Sequence, residues 1–221
     1  LGNRPVDLVD LSVAIDAAAT AVASLAPIDN PASAPGTTLS GVMVLRTAEG
    51  PYWLSFNVGD SRVYVVGGGG IRQLTHDHSA LQEARDLAAT SGAPRVIPPA
   101  NVVTKALGAG QTGSVKADYT IMPLEEGDRA VICTDGVHGV LRDSQIHAVV
   151  AAGDGPQGTA DTLVRASLES ATRDNTTAVV VYAGTKSRVT LTTNVMNRMI
   201  QPVRPASIET ARRVPRREGS N

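Results

Sequence analysis

The chain has 221 residues and a net charge of −1, enough for one domain with a real core and no overall field that would draw it to nucleic acid or a membrane surface. Aromatic residues make up 3 %, so the core has to be built from Val, Leu, Ile and Ala, and a stacking platform for single-stranded nucleic acid is not expected. The single cysteine, Cys133, rules out an internal disulfide framework and fits a reducing, cytoplasmic compartment, while the absence of a bilayer-length apolar run or a signal-peptide pattern argues against direct membrane insertion.

Leu11, Ile15, Ala18, Val22 and Leu25 recur at helical spacing. They predict an amphipathic helix from about Asp7 to Ala26, capped by Asp7 or Asp10 and stopped by Pro27. After the loop APIDNPASAPG the period changes: Thr38–Arg46, Tyr52–Val58, Arg62–Val66 and Ile71–Leu74 are short, β-rich and separated by turn residues. Gly67–Gly70 read as a hairpin turn; no helix starts after them and no Lys-Ser/Thr follows, so they do not fit a phosphate cradle. Ser79 and Gln82 form a capping box for a helix to about Thr90, ended by Gly92 and Pro94, and SGAPRVIPPAN reads as a surface loop. Strands follow near Lys116–Met122 and Arg129–Thr134, then helices near Ser144–Ala152 and Thr159–Ala171, then an apolar strand, Thr177–Tyr182. Beyond Gly184, five arginines from Arg204 to Arg217 stand among Pro and Ser, and 185–221 read as a loose tail following a domain over 1–184. The pattern is α+β: antiparallel strands in a sandwich, with helices packed outside.

Three acids stand where an apolar strand begins or ends. Asp60 follows FNVG and precedes SRVYVV, Asp135 follows AVICT, and Asp174 precedes NTTAVVVY. If the strands of Asp135 and Asp174 lie antiparallel side by side, the two carboxylates share one rim of the core. Neighbouring carboxylates repel, and one holds its proton unless a cation intervenes. Hard oxygen ligands would select Mg²⁺ or Mn²⁺. Asp-Gly and Asp-Asn are also common turn openers, so each acid alone fits a turn as readily as a ligand.

The blocks FNVGDSRVYVV, IRQLTHDHS, VVTKALG, LEEGDRAVICTDGVHGVL and RDNTTAVVVY, with GTTLSGVMVL before them, resemble in order and context the type 2C metal-dependent serine/threonine protein phosphatases of bacterial type. The resemblance runs from about Leu11 to Ala183. It implies an α-β-β-α sandwich of two antiparallel sheets flanked by helices, and a binuclear Mn²⁺ or Mg²⁺ centre. It further implies hydrolysis of phosphoserine and phosphothreonine by a metal-activated water, without a phosphoenzyme. By resemblance Asp135 and Asp174 are catalytic and ligate one ion of that centre, and Asp60 matches an acid linked to a weaker third-ion site. The implied partners are phosphorylated proteins, including Ser/Thr kinases or their substrates.

The family pattern begins with a strand carrying a phosphate-gripping Arg and an ion-binding acid, and with an Asp-Gly-x-Gly-Gly block whose Asp bridges the ions. Neither block occurs in these 221 residues, and Asp7, Asp10 and Asp16 lie in a helical pattern that reads as cap and surface. With a first residue of Leu1 rather than Met, the sequence is expected to be a piece of a longer protein or a degenerate member. It should hold half a metal centre, lack two core strands so that neighbouring strands have exposed edges, and hydrolyse phosphoesters poorly. The alternative to an enzyme is a catalytically inactive pseudophosphatase, or an isolated piece, that acts as a binding module.

Other residues carry weaker signals. Cys133 as a nucleophile would need a base and a lowered pKa; mid-strand, it fits a small buried hydrophobe. His76 and His78 fit turn and capping roles better than zinc or acid catalysis. His138, close after Asp135, could reach the rim as a proton donor, but a surface turn is the expectation. Asn175 matches a glycosylation pattern that a cytosolic chain would not use. The arginine-rich end fits a solvated linker, a contact with an acidic partner, or a lead into a membrane span of a longer protein.

Overall fold

The computed structural model describes residues 7–27, 29, 34–91, 97–110 and 114–184. Helix α1 (Leu8–Ala23) starts where Asp7 accepts the Asp10 N–H at 2.8 Å and Asp10 accepts the Asp7 N–H at 3.2 Å, a reciprocal capping box. A two-residue strand β1 (Gly36–Thr37) is followed by β2 (Leu39–Thr47), β3 (Gly50–Val58), β4 (Arg62–Gly67) and β5 (Gly70–Gln73). Helix α2 (Ala80–Ser91) comes next, then β6 (Leu107–Gly108), β7 (Asp118–Pro123) and β8 (Arg129–Cys133). A one-turn helix α3 (Asp135–His138) precedes α4 (Asp143–Ala152), α5 (Pro156–Glu169) and the final strand β9 (Ala178–Tyr182).

Three strands pair in the order β2-β3-β7 and four in the order β5-β4-β8-β9, all antiparallel, while β1 and β6 make a small bridge of their own. The strands follow the period of two. Val63 and Val65 of β4 and Ala130 of β8 point into the sandwich, where they meet Trp53, Val42, Val44 and Met122 of the other sheet. Their neighbours Tyr64, Val131 and Cys133 point the opposite way, onto Ile146 and Val150 of α4 and Leu163 of α5. On the far side Leu8, Ile15 and Ala19 of α1 cover Leu45, Leu54 and Val58. The architecture is therefore the expected α-β-β-α sandwich. Each fully buried Leu or Ile in these layers contributes about 2–5 kcal/mol against truncation to Ala.

Local differences from the sequence reading have local causes. Strand β8 stops at Cys133, and Asp135 opens α3 instead of ending the strand. At α2 half of the expected capping box forms: Ser79 Oγ accepts the Gln82 N–H at 3.2 Å, while the Gln82 amide turns to Asp86 at 2.9 Å. Gly67 and Gly70 pair as the ends of a hairpin. Among the described residues β2 and β7 edge one sheet and β5 and β9 the other, and Val179 of β9 is 51 % exposed. The expected helix stop at Gly92 and Pro94, and the tail 185–221, lie outside the described residues.

Register places the site. Arg62 pairs with Cys133, and Cys133 with Ala178. The start of β4, the end of β8 and the start of β9 thus share one rim, and the chain enters it from β3 through Gly59, Asp60 and Ser61.

Candidate metal centre

Asp60 sits on the link that carries the chain from one sheet to the other. Gly59 adopts φ 113°, and a Cβ there would collide with Thr38, so only glycine suits the position. The link is braced by its neighbours: Asn57 Nδ2 and the His78 N–H both donate to the Gly59 carbonyl at 2.9 Å. The Gly59 N–H donates to His78 Nδ1 at 3.0 Å, and Thr38 and Ser61 hydroxyls meet at 2.9 Å. The Asp60 side chain is buried, at 8 % exposure.

Asp135 is the first residue of α3. Thr134 before it latches the start of β9: its N–H donates to the Thr177 carbonyl at 3.2 Å, its hydroxyl donates to the Asn175 carbonyl at 3.2 Å, and the Thr177 N–H donates back to that hydroxyl at 3.1 Å. A Cβ at Gly136 would strike the Asn175 carbonyl. The Asp-Gly pair is thus a close approach between α3 and the loop before β9, rather than a turn. This packing puts Asp174 one residue away from the contact. Its carboxylate is exposed and accepts the Asn175 N–H at 2.7 Å.

Electrostatics tie Asp60 to Asp135. Burial, then the charge of Asp135, then that of Asp77 push the Asp60 carboxyl above the usual range; its own backbone and Arg62 pull it down. Arg62 cannot neutralise the group, because its guanidinium grips Asp77 at 2.6–3.0 Å and donates to the Tyr64 hydroxyl at 3.0 Å. Three carboxylates thus face one committed cation. That excess charge, carried on hard oxygens, fits a single divalent ion of the Mg²⁺ or Mn²⁺ kind beside Asp60 and Asp135. Among the described residues no group of three His, Cys, Asp or Glu side chains stands close enough to hold a metal ion, so an ion at this rim would rest on two carboxylates, with water completing its shell.

The remaining candidates resolve into braces. Burial pushes the Cys133 thiol up to about 12, which removes it as a nucleophile near neutral pH. His76 pairs with Asp86 at 2.7 Å on the surface. His78 bridges the Gly59 N–H to Asp118 at 3.0 Å, and Lys105 holds the other Asp118 oxygen at 2.9 Å. His138 corrects the sequence reading: α3 turns it inward, not into a surface turn. Its Nε2 donates to the Asp60 carbonyl at 3.1 Å. Burial, then the charge of Arg62, lower its pKa. Sequence reasoning also missed Asp77, the buried partner of Arg62; the signal was its place in THDHS, ahead of the Ser79 cap.

The fold has counterparts among known proteins. No family model matches the chain. It is 26 % identical over 147 residues to the serine/threonine phosphatase stp of Listeria welshimeri, covering 66 % of this chain and 56 % of that protein. It is 27 % identical over 147 residues to the protein phosphatase PhpP of Streptococcus pneumoniae, covering 66 % and 57 %. The chain therefore spans little more than half the length of these curated relatives. Among solved structures, the PPM Ser-Thr phosphatase MsPP of Mycobacterium smegmatis, in complex with cacodylate, superposes with TM-score 0.65 at 30 % identity, covering 80 % of this chain and 75 % of that one. The catalytic domain of the phosphatase PstP, in complex with two manganese ions, gives TM-score 0.66 at 26 % identity, covering 80 % and 73 %. With the sandwich and these relatives in agreement, the chain belongs to the PPM, or type 2C, family of serine/threonine phosphatases.

Proposed function

We propose that the protein is a metal-dependent phosphoprotein phosphatase of bacterial signalling, acting in the cytoplasm on phosphoserine and phosphothreonine in proteins such as Ser/Thr kinases or their substrates. Residues 1–184 are its phosphatase-like unit. Asp135 and Asp174 are the catalytic metal ligands, and Asp60 is an accessory one. The observation that carries this reading is the buried Asp60 carboxyl set against Asp135 at the shared rim, with the nearest guanidinium engaged elsewhere. The names of the relatives and the manganese ions of PstP support it.

Mn²⁺ or Mg²⁺ bound at such a rim acidifies water and neutralises charge that builds on phosphoryl oxygens. The chain's own residues do the positioning. The Thr134 latch fixes where α3 begins and so where Asp135 projects. The Gly59 braces fix Asp60. Arg62, locked onto Asp77, orders the base of the rim and is not offered to a phosphate.

The experiment is Mn²⁺-dependent phosphate release from a phosphoserine protein, run beside Asp135→Ala. Turnover that needs both Mn²⁺ and Asp135 supports the proposal; turnover indifferent to either defeats it. A second reading, a binding module without turnover, is favoured by the exposed Asp174 carboxylate, turned to its own neighbour's N–H. Tight retention of phosphoprotein with no release of phosphate would establish that reading instead.

A further inference from the structure

Asp60 and Asp135 both lie beyond the end of a ladder. The last β4–β8 pair is Arg62 with Cys133; each carboxylate stands two residues past it, on the same side. Backbone pairing therefore does not set their separation, and their mutual repulsion would splay them. The braces of the Asp60 link described above come from Asn57, Thr38 and His78, on the β2–β3 side and the approach to α2. Among the described residues' hydrogen bonds, that from His138 Nε2 to the Asp60 carbonyl crosses from the Asp135 helix to the Asp60 link, joining positions 78 residues apart in sequence.

We propose that His138 is a positioning residue: by donating from Nε2 to the Asp60 carbonyl, it ties α3 to the Gly59–Ser61 link and holds the Asp60 and Asp135 carboxylates at the spacing one divalent cation needs. The inference rests on the metal reading of this rim. A carbonyl can only accept, so the Nε2 nitrogen carries the proton and is engaged. This sets the role apart from a proton donor to a leaving group. Hydrogen-bonding partners one step behind a ligand commonly change metal affinity by about 10- to 100-fold when removed.

The test compares His138→Gln, which keeps an N–H donor at similar reach, with His138→Met, which fills similar volume without one. Binding of Mn²⁺ alone to the full 221-residue chain is followed by electron paramagnetic resonance, with thermal unfolding in a chelator as the control for folding. His138→Met is expected to weaken Mn²⁺ binding by about 10- to 100-fold, and His138→Gln to stay within about threefold of the unsubstituted chain. Equal affinity in all three chains, or equal weakening by Met and Gln, overturns the inference. Asp135→Asn reports on the metal reading separately. If the unsubstituted chain binds no Mn²⁺, or binds it unchanged after Asp135→Asn, the metal reading fails and this inference falls with it. If binding needs Asp135 but ignores His138→Met, this inference alone is lost.

Discussion

Asp60 and Asp128 are both buried aspartates just ahead of strands of the same sheet, at 8 % and 4 % exposure, and their surroundings are opposite in kind. At the far rim, ahead of β8, Asp128 Oδ2 accepts Trp53 Nε1–H at 3.1 Å and the Glu125 N–H at 3.0 Å, so neutral donors surround the charge. At the near rim Asp60 faces Asp135, and burial with that like charge raises it. Burial of a carboxylate is therefore no mark of function by itself. A buried acid supplied with donors holds a fold together; one set against a second acid keeps its proton unless a cation intervenes.

The sharpest way to break the contrast is to remove one acid from each rim. Asp135→Ala should lower Mn²⁺-dependent phosphate release, measured on a protein that contains these residues and turns over, by about 10²-fold or more while leaving the melting temperature nearly unchanged. Asp128→Ala should do the reverse. It leaves the buried Trp53 indole N–H without an acceptor, a loss of about 1–3 kcal/mol, seen as a fall of about 3–10 °C in melting temperature with Mn²⁺ affinity intact. Should Asp128→Ala weaken Mn²⁺ binding as much as Asp135→Ala does, the two rims are not distinct in the way described.

The same pair shows where sequence reading reaches its limit. The layers are legible because Val63–Val66 and Ala130–Cys133 are short, β-rich apolar runs between turn residues and α1 keeps its apolar stripe. Asp60, Asp135 and Asp174 stood out as acids at strand ends. Asp128 has that signature too, directly ahead of β8, and nothing local separates it from the others: its donor Trp53 is 75 residues away. His138 reads as a surface turn for the same reason, since its partner lies 78 residues off and a one-turn helix leaves no periodic trace. Gly136 looked like half of a turn dipeptide; the carbonyl it accommodates belongs to Asn175, brought in by tertiary packing. The β1–β6 bridge, two residues on each side, is too short for any period.

A gentler probe sharpens the contrast at the near rim. Asp60→Asn removes a charge that burial and Asp135 both oppose. The metal-free chain should melt slightly higher, by about 1–2 °C. Added Mn²⁺ should then raise the melting temperature less than it does in the unsubstituted chain, since ligand stabilisation scales with affinity for the folded state. A lower melting temperature in chelator would mean that the Asp60 charge is already satisfied within the protein, as that of Asp128 is.

The smallest effect concerns Asp118, which stands behind the Asp60 link at the end of the His78 bridge. Burial raises its carboxyl, but hydrogen bonds from Lys105 and His78 and their charges outweigh that, and the net direction is down. The folded state therefore binds the proton less readily than the unfolded chain does. The stabilisation this carboxylate provides is present in full above its ordinary value of 3.8 and is lost as pH falls through the lower folded value. In Asp118→Asn that contribution is missing at every pH. The urea midpoints of the two chains should differ by a constant amount from pH 7 down to about 4 and converge below it. With the side chain 51 % exposed, the plateau should be worth less than about 1 kcal/mol. Asp118 resembles Asp128 in being supplied with donors and Asp60 in lying at the near rim. A gap that persists unchanged into strong acid would show that Asp118 acts through shape at the His78 bridge and not through its charge.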